Sequence, residues 1–578
     1  MPKMGIVGPS YTSQSANAND QMTMNLYVES MEGNQAENPI VLYPTPGTRV
    51  FTTLADLPVR GQVFTATRAF AVGGSVFHEI FADGTNHNYG VIANDDHPVS
   101  MAAGTSQILI ASAGACYVFD LNANSFTPIP PATLANVAGV GYCDGFFLAF
   151  FLDSNSFQAS SPLDATSWPS LSVTTENVFI DNVLAMLVDH REVCLFGTTK
   201  TVIYYDSGNS PFPFDVVPGG FIEQGIGAPH SVVRLDNSIL WLGGDERGNV
   251  VAWRAQGYTP SRVSNHAVEF AWQGYSVNSD AIGYSYQDQG HAFWVLYFPT
   301  ANKTWVYDVA TNMWHERGYW NAINGIYTAH RSQNHQFVFG KHLVGDWASG
   351  KIYDMSIAYL DDSENPIRRV RRAVHVAKSQ EWVFHHQLQI YVQSGVGPIP
   401  ALTTTSESPQ SIYLADALNN IWTITVNDAG NLITTAGGSG PAQTLILNDN
   451  AANATWQIGV TIGGLLTTTS IAYNAVYPQV FPMATSPSQF QTSIQVGSGS
   501  LETDMPIAVT RGPLLNLRWS NDGGHQWSNE YSVDIGQTGE YEKRAIWRRL
   551  GRARNRVYEL NYSDPAPLRI IDDNLEAS

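Results

Sequence analysis

The stretch "WVYDVATNMWHERG", Trp305 to Gly318, sets the fold class. An apolar-aromatic run stops at Asp308, a short polar turn passes through Asn312, and Trp314 opens the next run. "CYVFDLNANSFTPI" repeats the order with Asp120, Asn124 and Phe126, and "VIYYDSGNSPFPF" repeats it with Asp206 and Phe212. Asp accepts hydrogen bonds from the free backbone N–H groups of a tight turn, so each Asp is expected to close a hairpin. Weaker copies near His78, Asp164, Trp253 and Asp354 fill the gaps, and runs such as "QILIAS", "SILWLGG" and "AFWVLYF" precede them. The spacing is about 45 residues, the length of one four-stranded propeller blade. The chain therefore reads as all-β, with a β-propeller of about seven blades, give or take one, over residues 59–365. Two β-sandwiches would also give short strands and regular turns, but a constant period over so many units favours the propeller.

Composition agrees. Only 14% of the 578 residues are charged, and Gly, Tyr and Trp are abundant, which suits strands and tight turns. A formal net charge of −20 argues against a protein that wraps nucleic acid in positive charge. Cys116, Cys143 and Cys194 form no CxxC pair and sit in apolar runs, which predicts buried, reduced thiols. No apolar stretch reaches about 18 residues and Met1 to Val7 lacks a signal-peptide core, so neither a membrane span nor a secretory signal is expected.

Beyond Leu360 the pattern changes. "HHQLQIYVQSG" alternates Leu388, Ile390 and Val392 with glutamines, and "NRVYELNYSD" alternates Tyr558, Leu560 and Tyr562 with Val557, Glu559 and Asn561. Each is a strand with one buried face. Residues 366–397 and 506–578 are expected to form one β-sandwich. A Ser/Thr-rich small β-domain is inserted over 398–505, and residues 1–58 form an N-terminal segment that closes the propeller. Either Val41–Tyr43 or Arg49–Thr52 would supply the outer strand of the last blade and remove two open sheet edges. Ser13 to Asp20 could instead be an arm that orders against a neighbour.

Catalytic patterns are weak. Ser520, Asp522, Gly524 and Trp527 stand in an S-x-D-x-G-x-x-W arrangement resembling the Asp box of sialidases, which is a structural turn there. The acidic pairs Asp245/Glu246 and Asp361/Asp362 read as turn residues. His385 and His386, adjacent in a strand, point to opposite faces and cannot chelate one ion. There is no HExxH, metal-spaced Cys/His set or P-loop, so no catalytic residue, metal or cofactor is expected. A carbohydrate-active propeller, sialidase-like enzyme or lectin, is the alternative function class.

Two basic clusters stand out: Arg368, Arg369, Arg371 and Arg372; then Lys543, Arg544, Arg548, Arg549, Arg552, Arg554 and Arg556, with Trp547 among them. Eleven of the 30 basic residues lie in these two segments. They are candidates for a subunit or adaptor interface, against the plainer reading of a solvated or salt-bridged face.

"GEYEKRAIWRRLGRARNRVYELNYSDPAPLRIIDDNLE", with "LRWSNDGGHQWSNE", resembles the C-terminal region of the packaged-DNA stabilisation proteins, or tail nozzle proteins, of short-tailed bacteriophages. "FIEQGIGAPHSVVRLDNSILWLGGDERGNVVAWR" is similar to another stretch of that family, as is the opening run through Asn25, Leu26, Tyr27, Glu29 and "YPTPGT". The resemblance implies a structural virion protein and not an enzyme: a homo-hexameric ring under the portal and its adaptor proteins. Such a ring extends the DNA channel, retains the genome and conducts it at ejection. Implied partners are the adaptor, tail fibre, spike or needle proteins, and double-stranded DNA passing without sequence-specific binding; no small-molecule substrate is implied. Synthesis and assembly in the host bacterial cytoplasm would suit the missing signal and the free thiols.

Overall fold

The computed structural model describes residues 4–394, except 16–17, 32–38, 176–181, 246 and 379–380, and residues 512–578. Between these, it describes only the backbone of eight short strands.

Seven four-stranded blades follow one another along the chain, blades 1 to 5 as separate sheets and blades 6 and 7 as parts of larger ones. Blade 1 runs from Val59–Phe64 to Asn86–Val91, blade 2 from Ser100–Ala103 to Ser125–Pro128, and blade 3 from Val137–Cys143 to Val173–Thr175. Blade 4 spans Ala185–Asp189 to Phe214–Ile222, blade 5 Val233–Leu235 to Thr259–Arg262, and blade 6 Ile282–Asp288 to Met313–Asn321. Each is an antiparallel meander whose buried alternate residues pack on the next blade, as Phe70, Phe77 and Phe119 do between blades 1 and 2.

Blade 7 takes Ser332–Val338, Lys341–Asp346 and Lys351–Ser356 from one end of the propeller sequence and its fourth strand, Gly47–Thr53, from the other. Thr52 pairs with Ile352 and Val50 with Tyr353, so the circle of blades is closed by hydrogen bonds. Val41–Tyr43 lies elsewhere, paired with Leu26–Ser30.

The N-terminal segment does more than close the propeller, and here the expectation for residues 1–58 needs correction. Asp20–Met24 joins one sheet of the sandwich beside Arg369–Arg372, followed by Asn555–Tyr562, Leu514–Ser520 and Tyr531–Asp534. Leu26–Ser30 and Ile40–Pro44 join the other, followed by Ile570–Ala577, Val383–Val392 and Ala545–Ala553. Met4, Ile6, Leu26, Val28 and Leu42 thus share a core with Leu388, Leu517, Trp547, Tyr558 and Leu575. The partners lie hundreds of residues away in sequence, and apolar pattern alone could not assign these strands to one sheet. Met24 also pairs with Glu316 of blade 6, making propeller and sandwich one continuous sheet along that seam.

A second compact unit, Pro400–Thr510, contains two three-stranded antiparallel sheets, Ile412–Ala415 to Leu432–Ala436 and Leu445–Asp449 to Leu466–Ile471. The only α-helix among the described residues is His266–Gln273, capped by the Asn265 side chain, which accepts from the Ala267 and Val268 amides.

Candidate docking interface

The hairpin turns behave as chemistry requires. Asp120 Oδ1 accepts from the amides of Asn122 (2.9 Å) and Ala123 (2.8 Å), Asp206 from Gly208 (2.9 Å) and Asp308 from Ala310 (3.0 Å). Asn124 and Asn312 end two of these turns at positive φ, a conformation Asn tolerates. The Asp-box-like turn is built the same way: Asp522 accepts from His525 (3.1 Å) and Gln526 (2.9 Å), Ser520 Oγ accepts from Gly524 (2.9 Å), and Gly524 has φ +100°. Trp527 lies under the Arg372 and Arg518 guanidiniums, 4.9 and 4.7 Å from its ring centroid. The turn belongs to the sandwich and holds arginines.

The first basic cluster is structural, which corrects its candidacy as a docking surface. Arg369 and Arg371 are buried, and Arg372 is held by Asp20 and Glu559. Arg371 donates to the Ile6 carbonyl, to Pro9 O (3.0 Å), Thr23 Oγ1 (2.9 Å) and Gln21 Oε1 (2.7 Å), pinning the N-terminal segment to the sandwich. Burial pushes its guanidinium down to about 9. Arg368 bonds Glu530 (2.9 Å) and stacks on Trp320. Glu559, itself buried, is gripped by Arg372 and Arg518, which satisfies the rule that buried charges are paired.

The second cluster divides. Arg556 is buried, donating to Asn521 Oδ1 (2.8 Å) and the Leu550 carbonyl (2.6 Å); Trp547 is buried with its N–H on the Tyr531 carbonyl (2.7 Å). These two also leave the candidate interface. Lys543 reaches Asp534 (3.1 Å). Arg544, Arg548, Arg549, Arg552 and Arg554 are exposed on or beside Ala545–Ala553, an edge strand among the described residues. Exposed Trp382 and Phe384, which sequence reading did not single out, lie beside them.

The acidic and histidine pairs do not assemble a catalytic site. Asp245 accepts from the Arg247 and Asn249 amides; its neighbour Glu246 lies outside the described residues. Asp361 pairs with Arg49, whereas Asp362 is buried on Thr48 and burial pushes its carboxyl up to about 6. His385 is buried against the Tyr558 hydroxyl (2.9 Å), while His386 faces outward to Ser578. Among the described residues no group of three or more His, Cys, Asp or Glu is placed to hold a metal ion. At the hub, Gln62 joins blades 1 and 7 through Asn334 (2.5 Å) and Gln336 (2.8 Å). A hollow of about 710 Å³ opens by the inner hairpins of blades 4 to 7, lined by His190, Asp236, Asp288 and Phe337.

These contacts define an all-β protein in which a closed seven-bladed propeller runs into a sandwich, with Met24 beside Glu316 and the His291–Glu29 pair at the seam. Residues 4–359 match the family model described as Bacteriophage P22 Gp10, beta-propeller, and residues 489–577 match Bacteriophage P22 Gp10, beta-sandwich. The first match covers more than half of the chain, and the protein belongs to this family of phage structural tail proteins. No curated protein matches it. Similar solved structures include the computationally designed Ika8 protein (TM-score 0.33, 11% identity, 60% of this chain and 99% of that one). The N-terminal domain of Nup159 gives TM-score 0.33 at 10% identity over 58% of this chain and 98% of that one. PorZ of Porphyromonas gingivalis gives 0.31 at 14% over 73% and 60%. Scores this low support no functional inference.

Proposed function

We propose that the protein is a subunit of the tail nozzle, a hexameric ring under the portal and adaptor that extends the DNA channel, retains the packaged genome and conducts it at ejection. The observation that carries this reading is the pair of family matches spanning both propeller and sandwich. In this reading the channel lies between copies of the chain and not through the hollow of one. A hollow of about 710 Å³ suits a small molecule, whereas a duplex whose major groove alone is about 12 Å wide needs a conduit formed between subunits. A net charge of −20 suits a conduit in which a polyanion must slide without being trapped. Most residues of the first arginine cluster serve internal joins, which leaves the exposed edge at Ala545–Ala553 for contacts with the adaptor or a neighbouring subunit. The tail fibre, spike or needle proteins would attach to the finished ring. Synthesis and assembly would take place in the host bacterial cytoplasm, and the protein performs no enzymatic step. The glycan-directed alternative has the Asp-box-like turn and the abundant Trp and Tyr in its favour, and that turn is occupied with Arg372 and Arg518.

Cryo-electron microscopy of DNA-filled, tail-less heads incubated with the purified protein tests the reading. A six-fold ring under the portal with DNA retained is the expected result. Absence of bound density with the adaptor present rejects it.

A further inference from the structure

Among the described residues, Ala545–Ala553 pairs on one side only, with Val383–Val392. None of Arg544, Arg548, Arg549, Arg552 and Arg554 has a carboxylate within 4 Å among the described residues, although the chain carries 50 acidic residues to 30 basic ones. Trp382, 49% exposed, carries both Arg552 and Arg554 over its ring, their guanidinium carbons 4.7 and 5.0 Å from its centroid. Phe384, 48% exposed, is the register partner of Arg552 and so shares its face of the sheet.

Charge on an edge strand has a plain explanation, which is protection against unwanted strand pairing. That explanation does not account for two large aromatic side chains left in water beside the charges. Arginine with exposed aromatic groups is instead the composition of an interface centre, where lysine is depleted. The edge itself has two parts. Beyond Arg549, whose φ is +59°, the carbonyls of Leu550 and Arg552 are taken by Arg556. Before it, Ala545–Arg548 has no backbone partner on its outer side among the described residues.

The geometry points to an extended acidic polypeptide segment of another tail protein as the occupant. It adds a strand along Ala545–Arg548, sets carboxylates on Arg548, Arg552 and Arg554, and rests an apolar side chain against Trp382 and Phe384. A duplex offers phosphates but neither a strand to extend the sheet nor an apolar group for the aromatic pair. The inference rests on the reading of the protein as an assembling tail subunit and adds the chemistry of its partner.

The test uses the full chain and a fluorescein-labelled ten-residue peptide alternating Glu with Val and Thr, followed by anisotropy and amide hydrogen exchange. Saturable binding is expected, weakened by salt, with exchange slowed at residues 545–548. Arg552→Glu with Arg554→Glu should weaken binding at least tenfold, and Trp382→Ala severalfold. The same peptide N-methylated at alternate residues should bind at least tenfold more weakly. No binding of the parent peptide overturns the inference, as does equal binding of the N-methylated one. Equal affinity for a 20-base-pair duplex at the same salt would make the edge a general polyanion surface. Self-association abolished by the charge reversal would give the surface to a second copy; either result overturns the acidic-segment assignment. Rings on heads without peptide binding sink only this inference; peptide binding without rings sinks only the nozzle.

Discussion

Asn25 and Gly318, 293 positions apart, exchange two hydrogen bonds of 2.9 Å: the Asn25 amide group donates to the Gly318 carbonyl and its Oδ1 accepts from the Gly318 N–H. The same amide donates to the Arg368 carbonyl (2.9 Å), and Asn25 itself stands at φ +57°. One side chain thus ties the N-terminal segment, blade 6 and the sandwich together where the chain passes from one sheet of the sandwich to the other. Asn25→Ala should lower stability by about 2–4 kcal/mol, because it removes the side-chain partner of the buried Gly318 N–H and carbonyl and one of two donors to the Arg368 carbonyl, and keeps a strained φ. Asn25→Gly relieves the φ but not the lost bonds and should remain well below wild type. Urea denaturation reads both, and an unchanged midpoint in either would show that the seam is held elsewhere.

His291 gives the seam a pH dependence. Burial works against its charge, but hydrogen bonds to Asp308 and Glu29, each 2.8 Å, win and push the imidazole up to about 9. A folded value above the unfolded one near 6.5 means that the contribution is fully present below about pH 6.5 and is lost as pH rises through about 9. Stability should therefore fall by on the order of 2 kcal/mol between pH 7 and pH 10. His291→Gln should flatten that slope. A wild-type slope retained in the variant would assign the titration to another group.

The two arginine clusters should respond in opposite ways. Arg371→Ala removes a buried guanidinium from four oxygen acceptors and should cost about 3 kcal/mol or more. Arg548→Glu with Arg549→Glu lies on an exposed edge and should change stability by no more than about 1 kcal/mol while abolishing attachment to adaptor-bearing heads. Thermal unfolding and head-binding assays separate the cases. Normal attachment of the double variant would remove the edge from the adaptor interface.

Closure of blade 7 can be broken at one position. Val50→Pro interrupts the ladder between Gly47–Thr53 and Lys351–Ser356 and should cost about 3 kcal/mol, leaving an open edge that promotes association. Size-exclusion chromatography with light scattering would detect it; a monodisperse, fully stable variant would show that the strand is dispensable.

Cys116, Cys143 and Cys194 are free and buried, and burial pushes all three thiols up, Cys116 and Cys143 to about 12. A thiol-specific disulfide reagent should titrate none of them in the native protein at pH 8 and all three in denaturant. Rapid native labelling of any one would place it at a mobile surface.

Local chemistry carried the propeller. Asp120, Asp206 and Asp308 announce their turns because the bonds they accept come from residues two or three positions away. The inner hairpins were equally local but escaped notice, since pairs such as His190–Arg191 and Asp236–Asn237 take positive φ without a repeated residue type. The arginines were misleading for the opposite reason. Arg369 and Arg371 alternate in a strand like surface residues, yet the acceptors of Arg371 lie between Ile6 and Thr23, some 350 positions upstream. Trp382 became visible as a site only when Arg552 and Arg554 arrived from a distant strand.

The threading of the N-terminal segment has a consequence for biosynthesis. The Ile6 amide bonds Asp573 Oδ1 at 2.9 Å, and Leu42 pairs with Ile570. Ile6 and Leu42 therefore wait for the strand near Ile570 before they can settle, and at about 5–20 residues per second that delay is on the order of a minute. The seven blades and the closing pair of Gly47–Thr53 with Lys351–Ser356 can form during that interval, but the sandwich is completed late. A nascent or truncated chain lacking Ile570–Ala577 would keep the segment from Ile6 to Leu42 unplaced, so only copies that carry this strand would reach the finished shape.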